Sequence, residues 1–211
     1  MSIRAVVFDM DGVLIDAREW HYEALNRALG HFGLGISRFD HLVTYDGLPT
    51  RAKLEMLSRE RELPRTLHPF LNELKQRYTM ELVWEHCKPV FQHEYALGRL
   101  KLDGFLLGLA SNSVRPSIEA MMNKAALDKH LDVVLSNEDV QRGKPDPEIY
   151  QRCIEALGCS PCEVLVVEDN DKGVLAARAA GAHVLQVKDP ADVTYWAIVE
   201  EIAQLSKVEA A

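Results

Sequence analysis

Two carboxylates, Asp9 and Asp11, stand two residues apart at the end of an apolar run, Ile3-Arg4-Ala5-Val6-Val7-Phe8, and Gly12 follows them. The run up to Phe8 reads as a strand buried on both faces. Such a strand carries its acids to the carboxyl edge of a sheet, where ligands bind in open α/β folds. Two close carboxylates repel each other, so the pair calls for a cation or a shared proton. Asp and Gly are also ordinary turn residues, and the pair alone fits a plain polar strand end about equally well.

Three further polar clusters decide the matter. Ser111-Asn112-Ser113 follows a second apolar run. A hydroxyl and an amide there could hold phosphoryl oxygens, or could simply cap the helix after Pro116. Gly143-Lys144-Pro145-Asp146-Pro147 comes after a third run. Its prolines rigidify a loop that bears one lysine, which suits a fixed ammonium charge aimed at an anion. A fourth run ends in Glu168-Asp169-Asn170-Asp171. Carboxylate oxygens without Cys or His suit a hard cation such as Mg²⁺. Each cluster has a bland reading as a turn, but independent turns are a poor account of such clusters gathered on one sheet edge.

The elements that must position these residues alternate in type. Strands are expected over Phe105–Ala110, Leu131–Leu135, Glu163–Val167 and His183–Val187, besides the run before Asp9. Helices are expected over Pro116–Ala126, Pro147–Leu157 and Lys172–Ala180. Strand–helix alternation means a parallel sheet with helices on both faces. Between the first strand and the rest lies a purely helical stretch, with helices over Glu19–Phe32, from an N-cap at Thr50, and from Pro69 to Trp84. The tail after Leu205 is expected to fray.

Composition bounds the rest. With 211 residues, the chain suits one large domain or a main domain with a smaller insert. A formal charge of −8 implies no polybasic surface for nucleic acid or membrane. No apolar run approaches the roughly 20 residues of a membrane span. The first strand starts at once, which leaves no room for a signal peptide and gives the cytoplasm as the expected location. Cys159 and Cys162 form Cys-Ser-Pro-Cys, but Cys87 and Cys153 offer no matching second pair for a zinc site. The motif enters a strand rather than opening a helix, so no redox role is expected.

Taken together, Asp9-Met10-Asp11-Gly12-Val13, Ser111-Asn112-Ser113, Gly143-Lys144-Pro145-Asp146-Pro147 and Glu168-Asp169-Asn170-Asp171-Lys172-Gly173 resemble the four successive motifs of the haloacid dehalogenase-like superfamily. They are most similar to its phosphatase and β-phosphoglucomutase subgroup, from Ile3 to about Val187. The resemblance implies a Rossmann-like core with its strands in the order fifth, fourth, first, second, third. It also implies that the core spans 1–15 and 86–211, and that 16–85 is a helical cap that selects the substrate. By the same resemblance Asp9 is the nucleophile, forming an aspartyl phosphate. Asp11 is general acid and then base. Ser111, with Asn112 close by, and Lys144 hold the transferring phosphoryl group. Asp9, the Asp11 backbone carbonyl and Asp169 hold Mg²⁺, with Glu168 in or near its ligand set. True dehalogenases of the superfamily usually lack the second acid, so Asp11 argues for phosphoryl transfer, where a leaving alkoxide needs a proton.

In the cap, His21, the loop from Gly47 to Arg51, and Lys75 match places where similar proteins meet substrate, although solvated helix residues would look the same. Two departures from the mutase pattern favour a plain phosphatase. Ala17 follows Asp16 where mutases typically carry Thr, and Arg51 falls one position late. The expected protein is therefore a Mg²⁺-dependent phosphatase of a small phosphorylated metabolite such as a sugar phosphate, a monomer or weak homodimer. The alternatives are a β-phosphoglucomutase-type isomerase and a non-catalytic binder of phosphorylated ligands. Intact Asp9, Asp11, Lys144 and Asp169 argue against the last.

Overall fold

Ala5–Phe8 forms β1, and all four of its residues are buried. It can be this apolar because it is central: it pairs in parallel with β2 (Leu106–Ala110) on one side and β4 (Val164–Glu168) on the other. Outside these lie β3 (Val133–Leu135) and β5 (His183–Gln186), also parallel to their neighbours. The order β3-β2-β1-β4-β5 is the expected one, read from the other edge. The computed structural model describes residues 2–45 and 48–208.

Helices connect the strands. In chain order they are α1 (Arg18–Gly30), a short α2 (Arg38–Asp40) running into a π turn, α3 (Thr50–Glu60), α4 (His68–His86), α5 (Phe91–Leu102), α6 (Arg115–Lys124), α7 (Glu148–Ala156), α8 (Asp171–Ala179) and α9 (Tyr195–Val208). The sheet core draws on β1, β4, α7 and α8, through Val7, Val164, Val166, Ile149, Tyr150, Cys153, Ala176 and Ala177. Burial pushes the Cys153 thiol up to about 12, so it packs as a small apolar group. Cys159 and Cys162 carry no disulfide.

Two compact units are present: Met1–Asp16 with Lys88–Ala211, and Ala17–Cys87. The second is all helical. Its core gathers Leu25 and Leu29 of α1, Leu54 and Leu57 of α3, and Leu71 and Leu74 of α4, with Tyr45. Two local expectations need correction. Pro49, not Thr50, precedes the first turn of α3, and no side chain caps it; a proline can preset the entry to a helix without a cap. Helix α5 forms where none was assigned: its buried positions, His93, Ala96, Leu97 and Leu100, keep helical spacing, but a histidine opens that stripe and Phe91, Tyr95 and Leu102 lie exposed on other faces, which blurs the pattern. Helix α9 runs as far as Val208, and residues 209–211 lie outside the described residues. Among the described residues, no helix is long and apolar enough to cross a membrane.

Candidate active site

All of the polar clusters predicted for the core emerge at the carboxyl ends of the parallel strands. Asp9 follows β1 directly, and its backbone N–H donates to Val167 of β4 at 3.0 Å. Asp11 lies in the turn beyond, where Gly12 takes φ +89°. A side chain at Gly12 would be strained there, and its Cβ would come within 2.2 Å of Asp169 Oδ2. Gly12 is therefore what lets the loops after β1 and β4 bring Asp9 and Asp169 together.

Lys144 is the hub. Its Nζ donates to Asp9 Oδ1 and to Glu168 Oε1, both at 2.6 Å, and the residue is only 6% exposed. The loop that carries it is clamped by Asn112: Asn112 Oδ1 accepts the Lys144 N–H at 3.0 Å, and Nδ2 donates to the Lys144 carbonyl at 3.3 Å. Both ends of the Asn112 amide thus engage the Lys144 backbone, which fixes the loop that presents the ammonium. Gly143 permits the clamp, since a Cβ there would lie 2.7 Å from Asn112 Oδ1.

Glu168 ends β4 fully buried. Its Oε1 accepts from Lys144 Nζ and from the Tyr150 hydroxyl at 2.5 Å, and its Oε2 accepts the N–H groups of Asp169 and Asn170 at 3.2 and 3.3 Å. Asn170 starts α8, its side chain accepting from the Lys172 N–H. Ser111, after β2, is buried; its Oγ accepts the Ser113 N–H at 3.1 Å, which leaves its own hydroxyl proton available to another acceptor. The Ser113 hydroxyl in turn donates to Asp11 Oδ2 at 2.9 Å.

Charge in this cluster is unbalanced. Burial pushes the Asp9 carboxyl well above the usual carboxylate range, Lys144 opposes the shift, and the negative charges of Glu168 and Asp11 add to it. Burial works to lower the Lys144 ammonium, but Asp9 and Glu168 outweigh it and hold the group above the ordinary lysine value. Burial also raises the Tyr150 phenol well above its usual value, with Glu168 next, so Tyr150 remains a hydrogen-bond donor.

The remaining negative charge fits a cation. Oxygens of Asp9, Glu168 and Asp169 lie within 4.8 Å of one another. The donors are carboxylates only, as a hard divalent ion prefers, and the missing Cβ of Gly12 leaves room for Asp169. The Asp11 side chain is outside this triad; its proposed contribution is the main-chain carbonyl.

The residues expected to select the substrate belong to the helical unit. Lys75 Nζ of α4 lies 3.2 Å from His21 Nδ1 of α1, within hydrogen-bond reach. Arg51 lies exposed on α3. Gly47 is outside the described residues. Sequence reasoning gave no role to Ser113 or Tyr150. Tyr150 sits among Ile149, Cys153 and Ile154 on the buried face of α7, and a tyrosine in an apolar stripe reads as core. Ser113 was visible only as the third member of a polar triplet.

A sequence profile described as haloacid dehalogenase-like hydrolase matches residues 6–187. The chain is 34% identical over 182 residues to the phosphorylated carbohydrates phosphatase of Thermotoga maritima, covering 85% of this chain and 82% of that protein. It is 28% identical to the pyrophosphatase PpaX of Bacillus velezensis, over 85% of this chain and 80% of the relative. Among solved structures, β-phosphoglucomutase from Clostridium difficile superposes with a TM-score of 0.81 at 22% identity, covering 96% of this chain and 98% of that one; at that identity the likeness is one of fold.

Proposed function

The chain belongs to the haloacid dehalogenase-like hydrolases, and from that premise we propose that it is a Mg²⁺-dependent phosphatase of small sugar phosphates acting through an aspartyl phosphate on Asp9. The observation that carries the reading is the buried ammonium of Lys144, hydrogen-bonded to Asp9 and Glu168. Phosphoryl transfer asks a protein mainly for positioning and charge neutralisation, and this arrangement offers both beside a carboxylate nucleophile.

A divalent ion held by Asp9, Asp169 and the Asp11 carbonyl, with Glu168 beside it, would supply charge neutralisation for the phosphoryl oxygens. The residues do the rest. The Asp9 carboxylate attacks phosphorus, and the bond from phosphorus to the leaving oxygen breaks. Asp11 gives its proton to that oxygen. In the second half, Asp11 takes a proton from water as the water oxygen attacks phosphorus. The bond to Asp9 breaks, inorganic phosphate leaves, and both acids return to their starting states. The Ser111 hydroxyl and the Lys144 ammonium orient the phosphoryl group through both halves. Asn112 serves by holding Lys144.

Substrate selection we assign to the helical unit, through His21, Arg51, Lys75 and the loop containing Gly47. A sugar phosphate is favoured because the Thermotoga maritima relative is named for phosphorylated carbohydrates. The mutase alternative uses the same core residues, and Ala17 and Arg51 depart from its pattern. Incubation with β-glucose 1-phosphate and a panel of sugar phosphates and nucleotides, with Mg²⁺, separates the two. Free phosphate is the expected main product. Glucose 6-phosphate formed without phosphate release would overturn the phosphatase reading.

A further inference from the structure

We infer that Ser113 is a positioning residue for proton transfer, holding the Asp11 carboxyl so that Oδ1 is the oxygen that serves the leaving group. The inference rests on the proposed phosphatase chemistry and deepens it.

Two observations support it. The first is the contact: Ser113 Oγ donates to Asp11 Oδ2 at 2.9 Å, across 102 residues of sequence. With Ser113 donating to Oδ2, the proton that Asp11 delivers is, in the inferred arrangement, the one on Oδ1. The second is that the Ser113 backbone is held from both sides. Its N–H donates to Ser111 Oγ at 3.1 Å, and its carbonyl accepts the Asn137 N–H at 3.1 Å. Asn137 also reaches back, donating from Nδ2 to the Asn112 carbonyl at 2.9 Å. The hydroxyl is therefore presented from a fixed main chain, and a carboxyl oriented this way loses little freedom on reaching the transition state. Asp11 itself lies in the turn opened by Gly12, so its backbone alone does not choose between the two oxygens.

Orientation of a general acid matters only where the leaving oxygen needs the proton. A good leaving group departs as an anion, whereas a sugar oxygen needs a proton as its bond to phosphorus breaks and leaves as the alcohol. Loss of Ser113 should therefore cost more as the leaving group worsens, whereas a merely structural defect should lower turnover of all esters alike.

The experiment compares kcat/KM, which reports the step that releases the leaving group, for p-nitrophenyl phosphate, phenyl phosphate and glucose 6-phosphate in wild type, Ser113→Ala and Ser113→Thr. For Ser113→Ala the expected loss is under about 3-fold on p-nitrophenyl phosphate and roughly 10- to 100-fold on glucose 6-phosphate, part of the 10²–10⁴ that general acid catalysis supplies. Phenyl phosphate should fall between. Ser113→Thr keeps the hydroxyl and should restore most of the loss. Turnover of p-nitrophenyl phosphate by Ser113→Ala shows within the same sample that the variant is folded. An equal loss on all three esters, or none, would overturn the role of Ser113 and leave the phosphatase reading in place. Wild-type enzyme inert toward all three would overturn both.

Discussion

Tyr150 on α7 donates its hydroxyl to Glu168 at the end of β4, at 2.5 Å, and the oxygen it reaches is the one that also accepts Lys144 Nζ. The Lys144 ammonium lies 4.7 Å from the centre of the Tyr150 ring. Glu168 thus has acceptor contacts on both oxygens, one of them from the Lys144 ammonium. Tyr150→Phe keeps the ring and removes one of two donors to a buried charged oxygen, which retains Lys144 Nζ. Urea unfolding should show a loss of about 1–3 kcal/mol, with kcat reduced because Lys144 is held less firmly.

Asp9→Asn should abolish turnover, by at least about 10³-fold, since an amide cannot form the aspartyl phosphate. The substitution keeps an acceptor for Lys144, so far-ultraviolet circular dichroism should be unchanged. Activity near wild type would remove Asp9 as nucleophile.

Mg²⁺ should stabilise the protein at neutral pH. Asp9 is held above the usual carboxylate range by burial first and by its acidic neighbours next. An acid raised on folding costs stability at pH values above its folded pKa. That cost shrinks as pH falls through the folded pKa toward the unfolded value. A cation that binds only the folded state removes the cost without acidification, and adds about 2.7 kcal/mol at a hundredfold excess over its dissociation constant. Thermal scans with EDTA and with Mg²⁺ should differ by several degrees, roughly 2–4 °C per kcal/mol, with a smaller difference in Asp9→Asn.

Gly173→Ala probes the other half of the cluster. A Cβ at Gly173 would lie 1.8 Å from Glu168 Oε1, so the carboxylate or the start of α8 must move. Although alanine is the better helix former, the expected outcome is a loss of stability of about 1–3 kcal/mol and a larger fall in kcat, measured by unfolding and by phosphate release. Ala176→Gly, on the same helix, should lose stability without the disproportionate loss of kcat.

Acid should weaken the scaffold around β3 by the opposite sign. Burial would raise Asp139, but hydrogen bonds from the Ser136 N–H and hydroxyl and from Arg115 outweigh it and hold the acid below the usual range. Burial likewise opposes Asp132, which Lys101 and the Leu107 N–H hold low. Groups lowered on folding contribute stability above their unfolded pKa and lose it as pH falls through the folded value. Asp139→Asn should therefore flatten the acid limb of a pH–stability curve, below about pH 4, and leave its slope above pH 6 unchanged.

The sequence by itself determined the parallel sheet, because runs such as Ala5–Phe8 and Val164–Val167 are too evenly apolar for a half-exposed strand and alternate with helical stretches. It also determined which residue types reach the sheet edge, since Asp9, Ser111, Lys144 and Asp169 each follow an apolar run directly or through a short loop. Local pattern carries that information because strand direction decides which end of a run faces the ligand edge. Only the tertiary structure decided who holds whom. That Asn112 clamps the Lys144 backbone, that Tyr150 completes Glu168, and that Ser113 reaches Asp11 depend on separations of 18 to 102 residues. Such pairings leave no periodicity to read: a tyrosine within an apolar helix face and a serine after a strand look the same whether they pack, cap or position an acid. Packing of β3, β2, β1 and β4 side by side places those loops within hydrogen-bond reach, and that proximity turns four polar clusters into one charged site.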